Sequence, residues 1–315
     1  MLFRSVIYDD EEQFDQSLSY YRKSLKIRRA VLGEEHEDVC ELITCIGNVY
    51  RSMGDNSTAL KAFRRALDLR SSVAKSIKLN RNQTEALICS HEDVLELLSQ
   101  EIGSSLDPDA TRDDIASVLL KMGHLYDTIS NFDKSLKCFE RALKMRQNTG
   151  DGAKAAQVYN VLGISFAKRR KFADAMDSFE QSLSLRKAAL GEFNTDVAET
   201  LHNMGNCAAK KGDLDDAKSY YDESLRIKRK NLGNGHASVA QTLHNLGNIM
   251  SQKGSTEAAM QNYQDALSIR VNILGTDHLD VAYSLHCIAK IHKKKHNIKA
   301  AQEYRSEERR VGKEC

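Results

Sequence analysis

Leu190 opens the stretch LGEFNTDVAETLHNMGN, which runs to Asn206 and returns twice with drift, as LGNGHASVAQTLHNLGN from Leu232 to Asn248 and as LGTDHLDVAYSLHCIAK from Leu274 to Lys290. Each step is 42 residues. A segment recurring at one fixed step of this size marks a solenoid, in which every unit buries its apolar face on the next and none is stable alone. The fold class expected is all-α, a superhelical array of about six to seven helix-turn-helix repeats, mostly of 42-residue period.

Within one unit, Val197, Leu201, Met204 and Ala208 fall at helical spacing, Gly212 and Asp213 break the pattern, and Ala217, Tyr221, Leu225 and Ile227 resume it. Two antiparallel helices joined by a tight turn follow. A small residue recurs midway along each first helix, at Gly47, Gly123, Gly163, Gly205, Gly247 and Ala289. A helical glycine costs about 1 kcal/mol of propensity, so close passage of the second helix is its natural reason. The second helices answer with a small, an aromatic and a small residue: Ala59, Phe63, Ala66; Ser135, Phe139, Ala142; Ala175, Phe179, Ser182; Ala217, Tyr221, Ser224; and Ala259, Tyr263, Ala266. Such a row is a ridge made for a neighbouring groove. By the same logic one tyrosine of each pair Tyr20/Tyr21 and Tyr220/Tyr221 faces the core.

This pattern over residues 12–70 and 113–304 resembles the tetratricopeptide repeat, and the LG-x-x-H linker with its 42-residue period resembles the kinesin light chain type. That type carries a proline after the linker histidine. Here Glu37, Ala237 and Leu279 follow His36, His236 and His278, histidines better suited to capping or bracing the next helix. A light chain would also carry a heptad coiled coil for its heavy chain, and this chain shows none, so the resemblance does not extend to motor association.

The array divides by its period into residues 1–70, the N-terminal repeats with the first one truncated, and residues 113–304, the C-terminal array. Gly47 and Gly123 lie 76 residues apart, one step of 42 and one of 34, which leaves residues 71–112 as a degenerate repeat or a helical insertion. Thr84 to Ile102 reads as an amphipathic helix, broken by the Gly103 to Pro108 run, where flexibility is expected. Val6, Ile7 and Tyr8 resemble the tail of a first helix. At the far end the repeat-bearing helix is expected to stop at Tyr304. Residues 305–315, RSEERRVGKEC, have no repeat register and resemble a translated sequencing adapter, which makes them a non-native tail.

Lys and Arg number 46 against 44 Asp and Glu, a balance that offers no case for nucleic acid. No apolar run has the length of a signal peptide or a membrane span. The seven cysteines form no CxxC pair, as befits reduced thiols in a cytoplasmic protein. No phosphate-binding glycine loop or nucleophile motif is present, so no catalysis and no cofactor are expected.

First helices line the inner wall of such an array, and matching positions form ladders. Asn160, His202, His244 and His286 make one; Asn203 and Asn245 with Cys287 make the next; Asn48, His124, Asn206, Asn248 and Lys290 make a third. Units about 10 Å apart cannot share one zinc ion, which needs ligands near 2 Å, so the histidines are no metal site. An asparagine amide offers both a donor and an acceptor and pairs with an extended backbone of any sequence. Asparagines so placed resemble those with which tetratricopeptide grooves hold a peptide. Lys210, Lys290, Lys293 and Lys294 gather at one end, where a carboxylate gains charge-assisted bonds. The groove set is therefore His202, Asn203, Asn206, Lys210, His244, Asn245, Asn248, His286 and Lys290. The function expected is a non-catalytic adaptor that binds an acidic or C-terminal segment of a protein partner. Two other readings stand beside it: the ligand-sensing part of a larger enzyme or signalling ATPase, and an element that self-assembles through uncapped repeat ends.

Overall fold

A computed structural model of the chain describes residues 14–76, 80–101 and 108–314. Val6 to Tyr8, the Gly103 to Asp107 break and Cys315 lie outside them. The described residues form fourteen helices. These are α1 (Phe14–Leu32), α2 (Glu37–Ser52), α3 (Asn56–Ser76), α4 (Arg81–Glu101), α5 (Pro108–Thr128), α6 (Phe132–Asn148), α7 (Gly152–Lys168), α8 (Phe172–Leu190), α9 (Thr195–Lys211), α10 (Leu214–Leu232), α11 (Ala237–Gln252), α12 (Thr256–Leu274), α13 (Leu279–Lys294) and α14 (Ile298–Glu314). The chain separates into two compact units, Met1–Asp151 and Gly152–Cys315.

In the first unit α2 pairs with α3 and α5 with α6 as tight hairpins, while α4 packs on α3 and α5 only as closely as one hairpin packs on another. Among the described residues, 71–112 thus hold the end of α3, the start of α5 and, between the two hairpins, the one helix α4. Ser17, Tyr21 and Ser24 of α1 are buried in the small, aromatic, small order of a second helix. In the second unit α7 to α14 form four consecutive hairpins, each stacked on the next.

The glycine and the ring face each other in every complete pair. A Cβ on Gly163 would stand 2.5 Å from Cε1 of Phe179, and one on Gly205 2.7 Å from Cε1 of Tyr221, with the same clash recurring at Gly47, Gly123 and Gly247. The missing side chain is what lets the ring lie on the helix backbone. Beside the ring, Ser182 donates to the carbonyl of Ala156 (2.8 Å) and Ser224 to that of Ala198 (2.6 Å), so the small residues tie the helices as well as clearing space.

Between hairpins, the glycines of the quoted segments close the second helices: Gly191, Gly233 and Gly275 adopt φ of 85°, 81° and 79°, which glycine reaches without Cβ strain. Three residues further on, the linker histidines cap the next helix. Nδ1 of His36, His236 and His278 accepts the N–H of Asp38 (3.2 Å), Ser238 (3.1 Å) and Asp280 (3.1 Å), and Oδ1 of Asn194 does the same for Asp196 (2.8 Å). A cap of this kind satisfies an N–H that the helix itself leaves open.

The last helix departs from expectation. It does not stop at Tyr304, because Arg, Glu and Lys are good helix formers and carry it to Glu314. The interlock, however, does stop: position 305, one 42-residue step after Tyr263, is Arg305, and position 308, one step after Ala266, is Glu308. Ala289 therefore has no ring at the matching position of α14, and a cavity of about 360 Å³ opens between α13 and α14, lined by Ala289, Ala301 and Arg305 among others.

Candidate functional site

Two first helices of the second unit, α9 and α11, each expose a polar stripe at intervals of four, three and four residues. On α9 it reads Glu199, Asn203, Asn206, Lys210; on α11, Gln241, Asn245, Asn248, Gln252. Hydrogen bonds show that these stripes lie side by side. Nδ2 of Asn203 donates to Oδ1 of Asn160 on α7 (3.1 Å), and Nδ2 of Asn245 donates to Oδ1 of Asn206 (3.1 Å). Each second helix joins in, since the hydroxyl of Tyr221 donates to Oδ1 of Asn206 (2.7 Å) and that of Tyr263 to Oδ1 of Asn248 (2.8 Å).

With the amides oriented by these bonds, every asparagine spends one half of its group inside the protein. Among the described residues, the other half has no protein partner: Oδ1 of Asn203 and Asn245 as acceptors, Nδ2 of Asn206 and Asn248 as donors. All four side chains are partly exposed. The result is a row of acceptors beside a row of donors, the pairing that an extended backbone presents in return. Lys210 ends the α9 stripe and Lys290 stands on α13 at the place of Asn206 and Asn248; both are exposed.

The histidines stand behind this wall. His202 is 5% exposed, with Nδ1 3.2 Å from Thr242 Oγ1 and Nε2 accepting from Nδ2 of Asn245 (3.3 Å). His244 is 2% exposed, its ring between those of Tyr263 (centroids 5.1 Å apart) and Tyr283 (4.7 Å). Burial, reinforced by Lys228, pushes His202 down to about 3, and burial with Arg270, opposed by Asp280, pushes His244 down to about 4. Both rings are neutral spacers at the joints between hairpins, which removes them from the groove-lining set. His286 is half-buried and 2.9 Å from a carboxylate oxygen of Glu308.

A second ladder escaped the sequence reading. Arg186, Lys228 and Arg270, each the seventh residue after its ring, are buried and reach into the first turns of the next hairpin. Arg186 donates to Thr200 Oγ1 (2.9 Å), Lys228 to Thr242 Oγ1 (2.9 Å) and Arg270 to Ser284 Oγ (2.6 Å). The period of 42 was visible, but a cation on a polar helix is ordinarily solvated, and only packing reveals otherwise. Burial, against the pull of Glu199, brings Lys228 down to about 8.

Among the described residues no three His, Cys, Asp or Glu side chains are grouped to hold a metal ion, and no helix is long and apolar enough to cross a membrane.

Stacked antiparallel hairpins that interlock a ring with a glycine, and turn a polar stripe outward on α9 and α11, define a helical-repeat protein of the interaction class. The chain belongs to the tetratricopeptide repeat family, whose model matches residues 4–72, 114–188 and 196–270. It is similar to two Arabidopsis thaliana proteins, KINESIN LIGHT CHAIN-RELATED 2 and KINESIN LIGHT CHAIN-RELATED 1, at 19% and 21% identity over 61% and 63% of this chain. It spans only 30% and 27% of their lengths. Among solved structures, BtubC (BKLC) from P. vanneervenii superposes with a TM-score of 0.66 at 19% identity, over 72% of this chain and 90% of that one. A putative kinesin light chain from Podosopora anserina with nearly identical repeats superposes at 0.55 and 15% identity, over 66% of this chain and 97% of that one. At such identities the likeness is one of fold.

Proposed function

We propose that the second unit is a cytosolic docking module that holds an extended segment of a partner protein along the inner faces of α9 and α11, by binding alone and without turnover. The observation that carries this reading is the set of four half-used amides, two acceptors beside two donors. Unsatisfied polar atoms at a protein surface cost nothing while water serves them, and a peptide backbone replaces that water with fixed geometry. Lys210 and Lys290 favour acidic side chains or a terminal carboxylate beside the backbone contacts.

The test is an array of immobilised decapeptides probed with the wild-type chain and with a variant carrying Asn203→Ala, Asn206→Ala, Asn245→Ala and Asn248→Ala. Peptides held by the wild type should lose at least tenfold in affinity on the variant, at about 1 kcal/mol for each lost bond. Since Asn206 and Asn248 also hold the hydroxyls of Tyr221 and Tyr263, the variant should melt lower by a few degrees while its helicity persists. Equal binding by a folded variant would refute the groove.

A further inference from the structure

The stripe on α13 differs in kind from its counterparts. Where α11 carries Ala237, Gln241, Asn248 and Gln252, α13 carries Leu279, Tyr283, Lys290 and Lys294. Leu279 and Tyr283 are 63% and 53% exposed, and both lysines are exposed. Being in the last hairpin does not explain this exposure, because Gln241 is exposed although the hairpin α13/α14 follows it. Two large apolar side chains held in water, one turn apart and in line with two cations, mark a surface adapted to something amphipathic.

We infer that α13 reads the specificity of the bound segment, taking an apolar side chain on Leu279 and Tyr283 and a carboxylate on Lys290 and Lys294; this rests on the groove reading above. Tyr283 is seated for the role, its ring packed at a tilt of 35° against the buried His244 ring with centroids 4.7 Å apart, so its position is fixed before a partner arrives. Lys294 is placed by a 3.4 Å contact from Nζ to Ser251 Oγ on α11. The distances set the motif. Tyr283 and Lys290 are about 10 Å apart along the helix and Leu279 and Lys294 about 22 Å, which an extended chain covers in roughly three and seven residues. The partner segment therefore carries its apolar residue three to seven positions from its acidic one. The α9 and α11 stripes, with amides at their centres, hold backbone of any sequence, and α13 supplies the discrimination they lack.

The substitutions that test this are supplied by the protein itself. Leu279→Ala, Tyr283→Gln, Lys290→Asn and Lys294→Gln together give α13 the residues that α11 carries at these four positions, residues already present in this fold, with helicity checked by circular dichroism. The probe is the peptide acetyl-LFGSGEE-amide, with acetyl-SSGSGEE-amide and acetyl-LFGSGKK-amide as controls, titrated by fluorescence anisotropy. Wild type should bind the first at least tenfold tighter than either control, and the exchanged variant should lose that preference. If the variant binds the first peptide as wild type does while the four asparagine substitutions abolish binding, the inference fails and the groove stands. If neither variant alters binding, both fail. A wild type that shows no preference among the three peptides overturns the inference outright.

Discussion

Phe179→Ala should lower the unfolding free energy of the second unit by about 3–5 kcal/mol, the cost of emptying a fully buried phenylalanine site. Phe179 is 1% exposed and its ring lies where a Cβ on Gly163 would be. Gly163→Ala alone should also destabilise, by about 1–3 kcal/mol, because the ring cannot retreat from a well-packed joint. The informative result is the combination. Once the ring is gone, the methyl at 163 has space and contributes about 1 kcal/mol of helix propensity, so the double variant should be more stable than Phe179→Ala by itself. A change of sign of this kind is diagnostic of two groups in contact. Urea unfolding of the four proteins at fixed pH measures it, and simple additivity would show that ring and glycine do not interlock. The last hairpin already displays the relaxed combination, with Ala289 opposite a position that holds Arg305 and no ring.

That interlock was legible in the sequence because both of its halves recur at local spacings, a glycine in one helix and a ring sixteen residues later in the next. The capping role of His36, His236 and His278 was legible for the same reason, since a cap acts on the residues that follow it at once. The candidate groove was only half legible. His202 and Asn203 are sequence neighbours, and about 100° of helix rotation separates a ring sealed against Thr242 and Asn245 from an amide open to solvent. Periodicity says that both repeat; it does not say which one points at the next hairpin. The buried cations were hidden by composition, because the packing that desolvates Lys228 comes from α11, a helix later in the chain. The continuation of α14 past Tyr304 was missed because helix formation and repeat register are separate properties, and the terminal residues keep the first without the second.

Acidification from pH 7.5 to 5 should remove about 4 kcal/mol of stability from the second unit, through two rings. His202 and His244 have folded pKa values of about 3 and about 4 against 6.5 for the free group. Between those limits the unfolded chain binds protons that the folded chain refuses, so stability is complete above 6.5 and is lost as pH falls toward the folded values. Each ring contributes about 1.4 kcal/mol per pH unit, hence about 2 kcal/mol at pH 5. The sum is a large part of the 5–15 kcal/mol typical of a domain. The surroundings leave little room for compensation. His202 faces Lys228, His244 faces Arg270, and only the carboxylate of Asp280 favours the charged form of His244. The remedy is present in the chain, since α7 carries a buried Asn160 at the matching position. His202→Asn with His244→Asn should flatten the loss between pH 7.5 and 5, followed by urea midpoints at several pH values. An unchanged acid limb in that variant would assign the loss to other groups. Lys228 acts at the opposite end: folded at about 8 and free at 10.5, it withholds stability that returns as pH rises across that interval, and Lys228→Met should abolish that rise while leaving the acid limb in place. One joint between hairpins therefore carries two titrating groups whose effects separate by pH, because burial drives each of them toward its neutral form.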